Sequence, residues 1–179
     1  MWVDADLAGD LTTTKSTSGL WLELATPDLA RCWPISWQCG KQATTACATV
    51  DSEAKTIIAA MDNEKTVDRP TIRAMSAGLR KVVIPILHQA ETVLGRAVKL
   101  VAHEDNQQVV SAVTRGYSAS LRHLPRHDRT GLGFTHEVFA STDDKGFRKY
   151  QSEIRYEQTK KQKADGFTKP LPKIEFEAF

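Results

Sequence analysis

The chain has 179 residues, of which 41% are hydrophobic and 26% charged, with a formal net charge of +2. This is the composition of an ordinary globular protein, and the length suits one domain over residues 1–179. No apolar run approaches the roughly 18 residues of a membrane span, and the acidic start is unlike a signal peptide, so we expect an intracellular protein, cytoplasmic or nuclear.

The first third of the chain predicts three strands. Residues 2–7 form a short first strand, and a polar turn rich in Asp, Thr, Ser and Gly follows it. Alternation in "LWLELAT" predicts a second strand and "CWPISWQCGKQ" a third, with "TPDLAR" as the hairpin loop between them. We expect these three strands to pair antiparallel.

Helices and two further strands are predicted in the rest of the chain. Asp51 or Ser52 can cap a helix, and the charged stretch 62–71 is interpreted as a loop, a frayed helix end or an insertion. A helical period returns at Ile72, with a kink or break expected at Pro85. Then come a strand in "AVKLVAHEDN", helices in "NQQVVSAVTRG" and "THEVFAS", a strand in "IRYEQ", a helix onset in "TKKQKADGFTKPLP" and a tail at 174–179. This order indicates an α/β domain with a mixed sheet.

Three aspartates fall in or beside predicted elements. Asp4 lies in the first strand, Asp105 at the carboxyl end of the fourth, and Asp165 near the start of the last helix. Carboxylates brought together in this way can bind a hard cation, and a pair of Mg²⁺ ions about 3.5–4 Å apart supports phosphodiester cleavage. Acids at strand ends are also common without a metal. A calcium loop beginning at Asp4 is excluded, because its twelfth position is Lys15.

Charge is unevenly distributed. Residues 147–173 hold eight Lys and Arg against three acids, a net charge of +5, which leaves −3 for the remainder. The stretch 115–129 adds four arginines and two histidines. Basic surface beside an acidic centre suits a polyanion held next to a metal site, although solvated surface residues give the same pattern.

Short sequence motifs are more specific evidence for a protein family than the spacing of acids or the distribution of charge. "VDADLAGD", "STSG", "PISWQCGKQ", "HEDNQ", "RHL" and "KADGFTKPL" occur in that order between about residues 2 and 173. Together they resemble the RNase H domain at the end of the polyprotein of copia-type retrotransposons. The motifs of that domain are DADWAGD with STSG, PISWxSKKQ, TEAEYxAL, CDNQ, KHID and ADxFTKPL.

The resemblance implies an RNase H-like fold, a five-stranded mixed sheet with three antiparallel strands and then two parallel, flanked by helices. It implies Mg²⁺- or Mn²⁺-dependent cleavage of the RNA strand of an RNA–DNA hybrid. In intact elements the domain follows the reverse transcriptase region of the same polyprotein. When the family's metal ligands are transferred to the matching positions of this sequence, Asp4 and Asp105 would be the main ligands, and Asp165 would hold the second ion more loosely.

One metal-ligand position departs from the family. Lys55 occupies the position of the second glutamate of the TEAEY motif. A lysine ammonium beside two aspartates repels Mg²⁺. Glu53 substitutes for it only if the start of the helix shifts. If the helix instead continues in "RPTIRAMSAGLRK", with the intervening segment as an insertion, Thr71 takes the ligand position. With the short first strand, Lys55 indicates a degenerate or truncated copy. The alternative function is therefore an inactive RNase H-fold remnant that at most binds nucleic acid.

Other residues have weaker assignments. The resemblance makes Arg122 and His123 candidates for contact with nucleic acid, and charge adds Lys160, Lys161, Lys163 and Lys169 as candidates for phosphate contacts. Asp6 and Asp10 are expected to have structural roles, and His103 to be a packed or edge histidine. Trp2, Trp21, Trp33 and Trp37 are expected to pack in the core or on the sheet, with base stacking as the alternative. Cys32, Cys39 and Cys47 lack the paired spacing of a zinc site and are expected to be buried thiols.

Overall fold

The computed structural model describes residues 1–6, 15–28, 30–42, 69–117, 126–142, 144–146 and 150–169. Within these ranges, five strands form one mixed sheet. They are β1 (Trp2–Asp6), β2 (Thr17–Ala25), β3 (Cys32–Lys41), β4 (Leu100–Glu104) and β5 (Ser152–Tyr156). Their order across the sheet is β3-β2-β1-β4-β5.

The strand directions confirm the expected pattern of three antiparallel strands followed by two parallel ones. β1 pairs antiparallel with β2 and β2 with β3, whereas β4 runs parallel to both β1 and β5. The hairpin between β2 and β3 is closed where expected, since the Thr26 amide donates to the Arg31 carbonyl at 3.0 Å. In return, the Arg31 amide donates to the Thr26 hydroxyl at 3.1 Å.

Helices flank the sheet in the predicted order. Their bounds are α1 (Arg69–Gly78), a π-helical turn (Leu79–Val83), α2 (Ile84–Leu94), α3 (Gln107–Arg115), α4 (Arg126–Phe139), a 3₁₀ turn (Thr159–Lys161) and α5 (Asp165–Thr168). Local capping explains α3. The Asn106 side chain accepts from the Gln108 amide at 2.9 Å, and Gly116 ends the helix in the left-handed region at φ 68°.

The predicted interruption at Pro85 is confirmed. Proline has no N–H, and its ring clashes with the carbonyl of the preceding turn. The chain meets this constraint by widening one turn, in which the Ile84 amide donates to the Leu79 carbonyl five residues back. Pro85 then occupies the first turn of α2, where its missing donor has no consequence.

The hydrophobic core lies between one face of the sheet and helices α1, α3 and α4. Val3 and Ala5 of β1 point into it and are joined by Leu20 and Leu22 of β2. The helices contribute fully buried side chains: Met75, Leu79, Val83, Val109, Val113 and Val138. Because side chains alternate along a strand, Trp2, Asp4 and Asp6 point to the opposite face of the sheet.

Four expectations about these segments need correction or lie outside the described residues. Cys32 and Cys39 are exposed rather than buried, because β3 is the edge strand of the sheet. Residues 69–71 of the expected loop or insertion at 62–71 belong to α1. The helix expected after Asp51 or Ser52 and the tail 174–179 lie outside the described residues. Among the helices that are described, none is long and apolar enough to cross a membrane.

Candidate active site

Asp4 is buried in the middle of β1, on the sheet face away from the core, with 9% of its side chain exposed. The Thr168 hydroxyl, from the last residue of α5, donates a hydrogen bond to Asp4 Oδ2. Thr168 approaches this closely because Gly19, opposite Asp4 on β2, has no side chain. The strand and the short helix together fix the position of this carboxylate.

Asp165 and Lys169 complete a cluster of opposite charges around Asp4. Asp165 is the first residue of α5, and Lys169 directly follows the last residue of that helix. The two side chains are therefore one turn apart. Lys169 Nζ lies 3.0 Å from Asp165 Oδ1 and 3.5 Å from Asp4 Oδ2. A single ammonium thus contacts two carboxylates that come from opposite ends of the chain.

Asp105 adds a third negative charge to this region. It follows β4 at the turn into α3, which is held by the Asn106 amide donating to Glu104 Oε1 at 3.2 Å. Its charge acts on both Asp165 and Lys169. Asp4 and Asp165 are therefore the two predicted aspartates in direct contact with Lys169, whereas Asp105 acts on Asp165 and Lys169 only through its charge.

The electrostatics of the cluster follow from burial and charge. Burial raises the pKa of Asp165 to about 6, helped by the nearby charges of Asp4 and Asp105 and opposed by the hydrogen bond from Lys169. Burial lowers the pKa of Lys169, but the surrounding carboxylates outweigh it, and the net shift is upward. Burial thus disfavours the charged form of Asp165, and the surrounding carboxylates favour the charged form of Lys169.

The fit of a metal ion to this cluster depends on donor type and on space. Within the described ranges, no three His, Cys, Asp or Glu side chains form a group that could hold a metal ion. Mg²⁺, however, is commonly bound by one or two carboxylates together with water and substrate phosphates. Asp4 and Asp165 supply such oxygens, and the Lys169 ammonium already stands in for the cation. These two carboxylates would hold a divalent cation only with Lys169 moved away and with further ligands from water or substrate.

Several predicted site residues are not described. Glu53, Lys55, Arg122 and His123 all lie outside the described residues. Their assignments remain predictions, and so does the consequence of Lys55 for metal binding. Asp10 and Cys47 lie outside them as well.

The four lysines predicted to contact phosphate fall into two groups. Lys160 and Lys161 lie exposed on the 3₁₀ turn. Lys163 instead contacts Glu23 Oε2 at 2.6 Å and lies 5.3 Å from the centre of the Trp2 ring. Lys169 contacts the carboxylates described above. Lys160 and Lys161 are thus the better placed of the four for an external phosphate.

A row of side chains across the sheet was not foreseen. Paired positions place one residue from each strand on the face that carries Asp4: Trp37, Trp21, Trp2, His103 and Arg155. Trp2 stacks on His103 with ring centres 3.9 Å apart, and Trp21 lies 6.4 Å from Trp37. His103 is therefore packed, as expected. The row becomes visible only once the strand register is known.

Glu23 connects this row to the segment after β5. It accepts from the indole N–H of Trp21 at 3.0 Å and of Trp2 at 3.3 Å, and it pairs with Lys163. Burial raises the pKa of Glu23, but these three donors outweigh it and leave the pKa below its usual value. The only sequence signal for the contact between Trp21 and Glu23 is the alternation in "WLE", which places both side chains on one face of the strand.

The two tryptophans of the edge strand are not core residues, although Trp37 stacks on Trp21 across the sheet, as expected. Trp33 is 49% and Trp37 61% exposed. A register shift lies between them, because Leu22 pairs with Ser36 and Glu23 with Pro34, which leaves Ile35 as the extra residue. Trp37 consequently shares a face with Asp4, whereas Trp33, opposite Leu24, points to the other face.

No protein-family model, no curated protein and no solved structure matches this chain. Its function is therefore inferred from its own residues and their arrangement.

Proposed function

We propose that this protein is an RNase H-type endoribonuclease of the copia retrotransposon kind, which cleaves the RNA strand of an RNA–DNA hybrid with Mg²⁺ or Mn²⁺. The observation that carries the proposal is the contact of one ammonium with both Asp4 and Asp165, beside the charge of Asp105. Asp4 and Asp165 come from β1 and the start of α5, and Asp105, directly after β4, acts on Asp165 and Lys169 through its charge. The strand order and directions agree with the fold that the motifs imply.

The chain's own residues have defined tasks in this activity. Asp4 and Asp165 would hold the cation, and the negative charge of Asp105 would favour a second one. The Thr168 hydroxyl keeps the Asp4 carboxylate in one orientation. When bound, the ions supply an activated water and charge stabilisation for the attacking and leaving oxygens. Lys160 and Lys161 contact the phosphate backbone and position the hybrid.

A second candidate function is binding of nucleic acid without cleavage. Two lysines favour it: Lys169 stands between the carboxylates, and Lys55 replaces the family's glutamate. In this alternative the positive charges permanently replace the cations. The exposed basic residues would still attract a polyanion.

Cleavage of a labelled RNA–DNA hybrid separates these functions. The protein and its Lys55→Glu variant are compared with Mg²⁺ and with Mn²⁺, and Asp165→Asn is the negative control. Cleavage by the parent that Asp165→Asn abolishes supports the nuclease. Cleavage by Lys55→Glu alone identifies an enzyme disarmed at one position. Binding without cleavage by either protein supports the second candidate.

A further inference from the structure

We propose that Lys169 is an internal counter-ion, which fills the cation position between Asp4 and Asp165 in the metal-free protein and leaves it when a divalent cation binds. This inference rests on the proposed function for its metal site and deepens it, because it assigns a regulatory residue to that site. The Lys169 ammonium contacts both carboxylates, at 3.0 Å and 3.5 Å.

The two carboxylates need a positive charge between them. Their side chains are only 9% and 13% exposed, so water screens their repulsion poorly. Neutralisation by Lys169 removes this repulsion without any bound ion. The positive charge between the two carboxylates is thus supplied by the chain itself.

Lys169 is able to leave while the carboxylates stay in place. It directly follows α5 in an extended conformation, and its side chain is 38% exposed. A lysine carries its charge on a flexible four-carbon stem, so the ammonium reaches water by rotation of side-chain bonds alone. Asp4, in contrast, is held by β1 and by the Thr168 hydroxyl.

Competition between the ammonium and the metal is the consequence. A divalent cation must displace one positive charge before it contacts both carboxylates, and this cost weakens its apparent affinity. Removing the ammonium should strengthen metal binding and make the fold depend on metal. A lysine that served only to bind substrate phosphate would change neither property in this direction.

Isothermal titration calorimetry with Mn²⁺ tests this inference in the full chain without nucleic acid. Lys169→Gln is compared with the parent, and Lys169→Arg keeps the positive charge. Lys81→Gln, at an exposed position between α1 and α2, removes an equal charge elsewhere. We expect Lys169→Gln to bind Mn²⁺ about tenfold more tightly than the parent, and the two controls to stay within about twofold of it.

Thermal unfolding in EDTA and in Mn²⁺ provides a second readout. Lys169→Gln should unfold at a lower temperature than the parent in EDTA, and Mn²⁺ should restore much of the difference. If this variant is unfolded in EDTA, recovery of its fold by Mn²⁺ supports the inference, and failure to recover overturns it. Affinity for Mn²⁺ equal to or below that of the parent also overturns it, as does absence of Mn²⁺ binding in all variants.

These outcomes are separable from the fate of the proposed nuclease. Tighter Mn²⁺ binding by Lys169→Gln without any hybrid cleavage supports the counter-ion role of Lys169 and contradicts the proposed nuclease activity. Cleavage by the parent, with unchanged Mn²⁺ affinity in Lys169→Gln, keeps the enzyme and rejects the counter-ion.

Discussion

Gly19 lies directly opposite Asp4 in the pairing of β2 with β1, and its missing side chain leaves the space that α5 occupies. A Cβ placed on Gly19 would lie 2.8 Å from the Ala164 carbonyl oxygen and 2.8 Å from the Thr168 methyl group. A real Cβ atom essentially never lies this close to a non-bonded heavy atom. The approach of α5 to the sheet, and with it the contact of Lys169 with Asp4, therefore depends on this glycine.

Gly19→Ala is predicted to destabilise the protein by about 1–3 kcal/mol, because α5 must move off the sheet. Urea unfolding measures the change. Gly40→Ala on β3 is the matched control, since a Cβ there meets nothing within 4 Å. Equal stability of the two variants would show that α5 does not rest on Gly19.

Thr168→Val is predicted to lower the free energy of unfolding by about 1.5–3 kcal/mol. This change keeps the shape of a buried side chain but removes the hydroxyl that donates to the Asp4 carboxylate. Thr168→Ser retains the donor and should lose less. Chemical denaturation of both variants measures the difference, and a valine variant as stable as the serine variant would count against the hydrogen bond.

Glu23 is predicted to make stability depend on acidic pH. Because folding lowers its pKa below the usual 4.5, ionised Glu23 stabilises the fold above that pH, and this contribution is lost as the pH falls through the lowered value. Glu23→Gln should therefore be less stable than the parent at pH 7 by about 1–3 kcal/mol. The gap should narrow toward pH 3 in denaturation curves. A gap independent of pH would contradict the assignment.

Trp37→Ala is predicted to weaken binding of an RNA–DNA hybrid, because Trp37 is exposed on the face that carries Asp4. Trp33→Ala is the matched control on the same strand, since the extra residue at Ile35 places Trp33 on the opposite face. Fluorescence anisotropy in EDTA should show about a fivefold or larger loss of affinity for Trp37→Ala alone, within the range of an aromatic contact to nucleic acid. Equal losses of hybrid affinity in both variants would show that binding does not distinguish the two faces of the sheet.

Local sequence signals were sufficient for much of the fold. Pro85 predicted the interruption in the long helix, and Gly116 predicted the end of α3, because each acts through its own backbone geometry. The strands and the mixed sheet followed from alternation and chain order. These effects depend on residues close together in the chain.

The details of the site depend on contacts that sequence does not reveal. The position of Lys169 requires α5 to rest on β1, and the Thr168–Asp4 hydrogen bond joins residues 164 positions apart. The exposure of Cys32, Cys39, Trp33 and Trp37 depends on β3 being an edge strand, and the faces of the two tryptophans depend on one extra residue. Each needs the strand order or register, which local patterns leave open.

The central claim is that Asp4 binds the cation of a nuclease site. The most direct test is Mn²⁺-dependent cleavage of a labelled RNA–DNA hybrid by Lys55→Glu, with and without a second change at Asp4→Asn. Lys55→Glu places a carboxylate where the RNase H domains that the sequence resembles have a glutamate. Asp6→Asn, two residues along the same strand and face, is the matched control. We predict cleavage that is abolished by Asp4→Asn and retained by Asp6→Asn. Absence of cleavage in folded Lys55→Glu, or cleavage that survives Asp4→Asn, would contradict the claim.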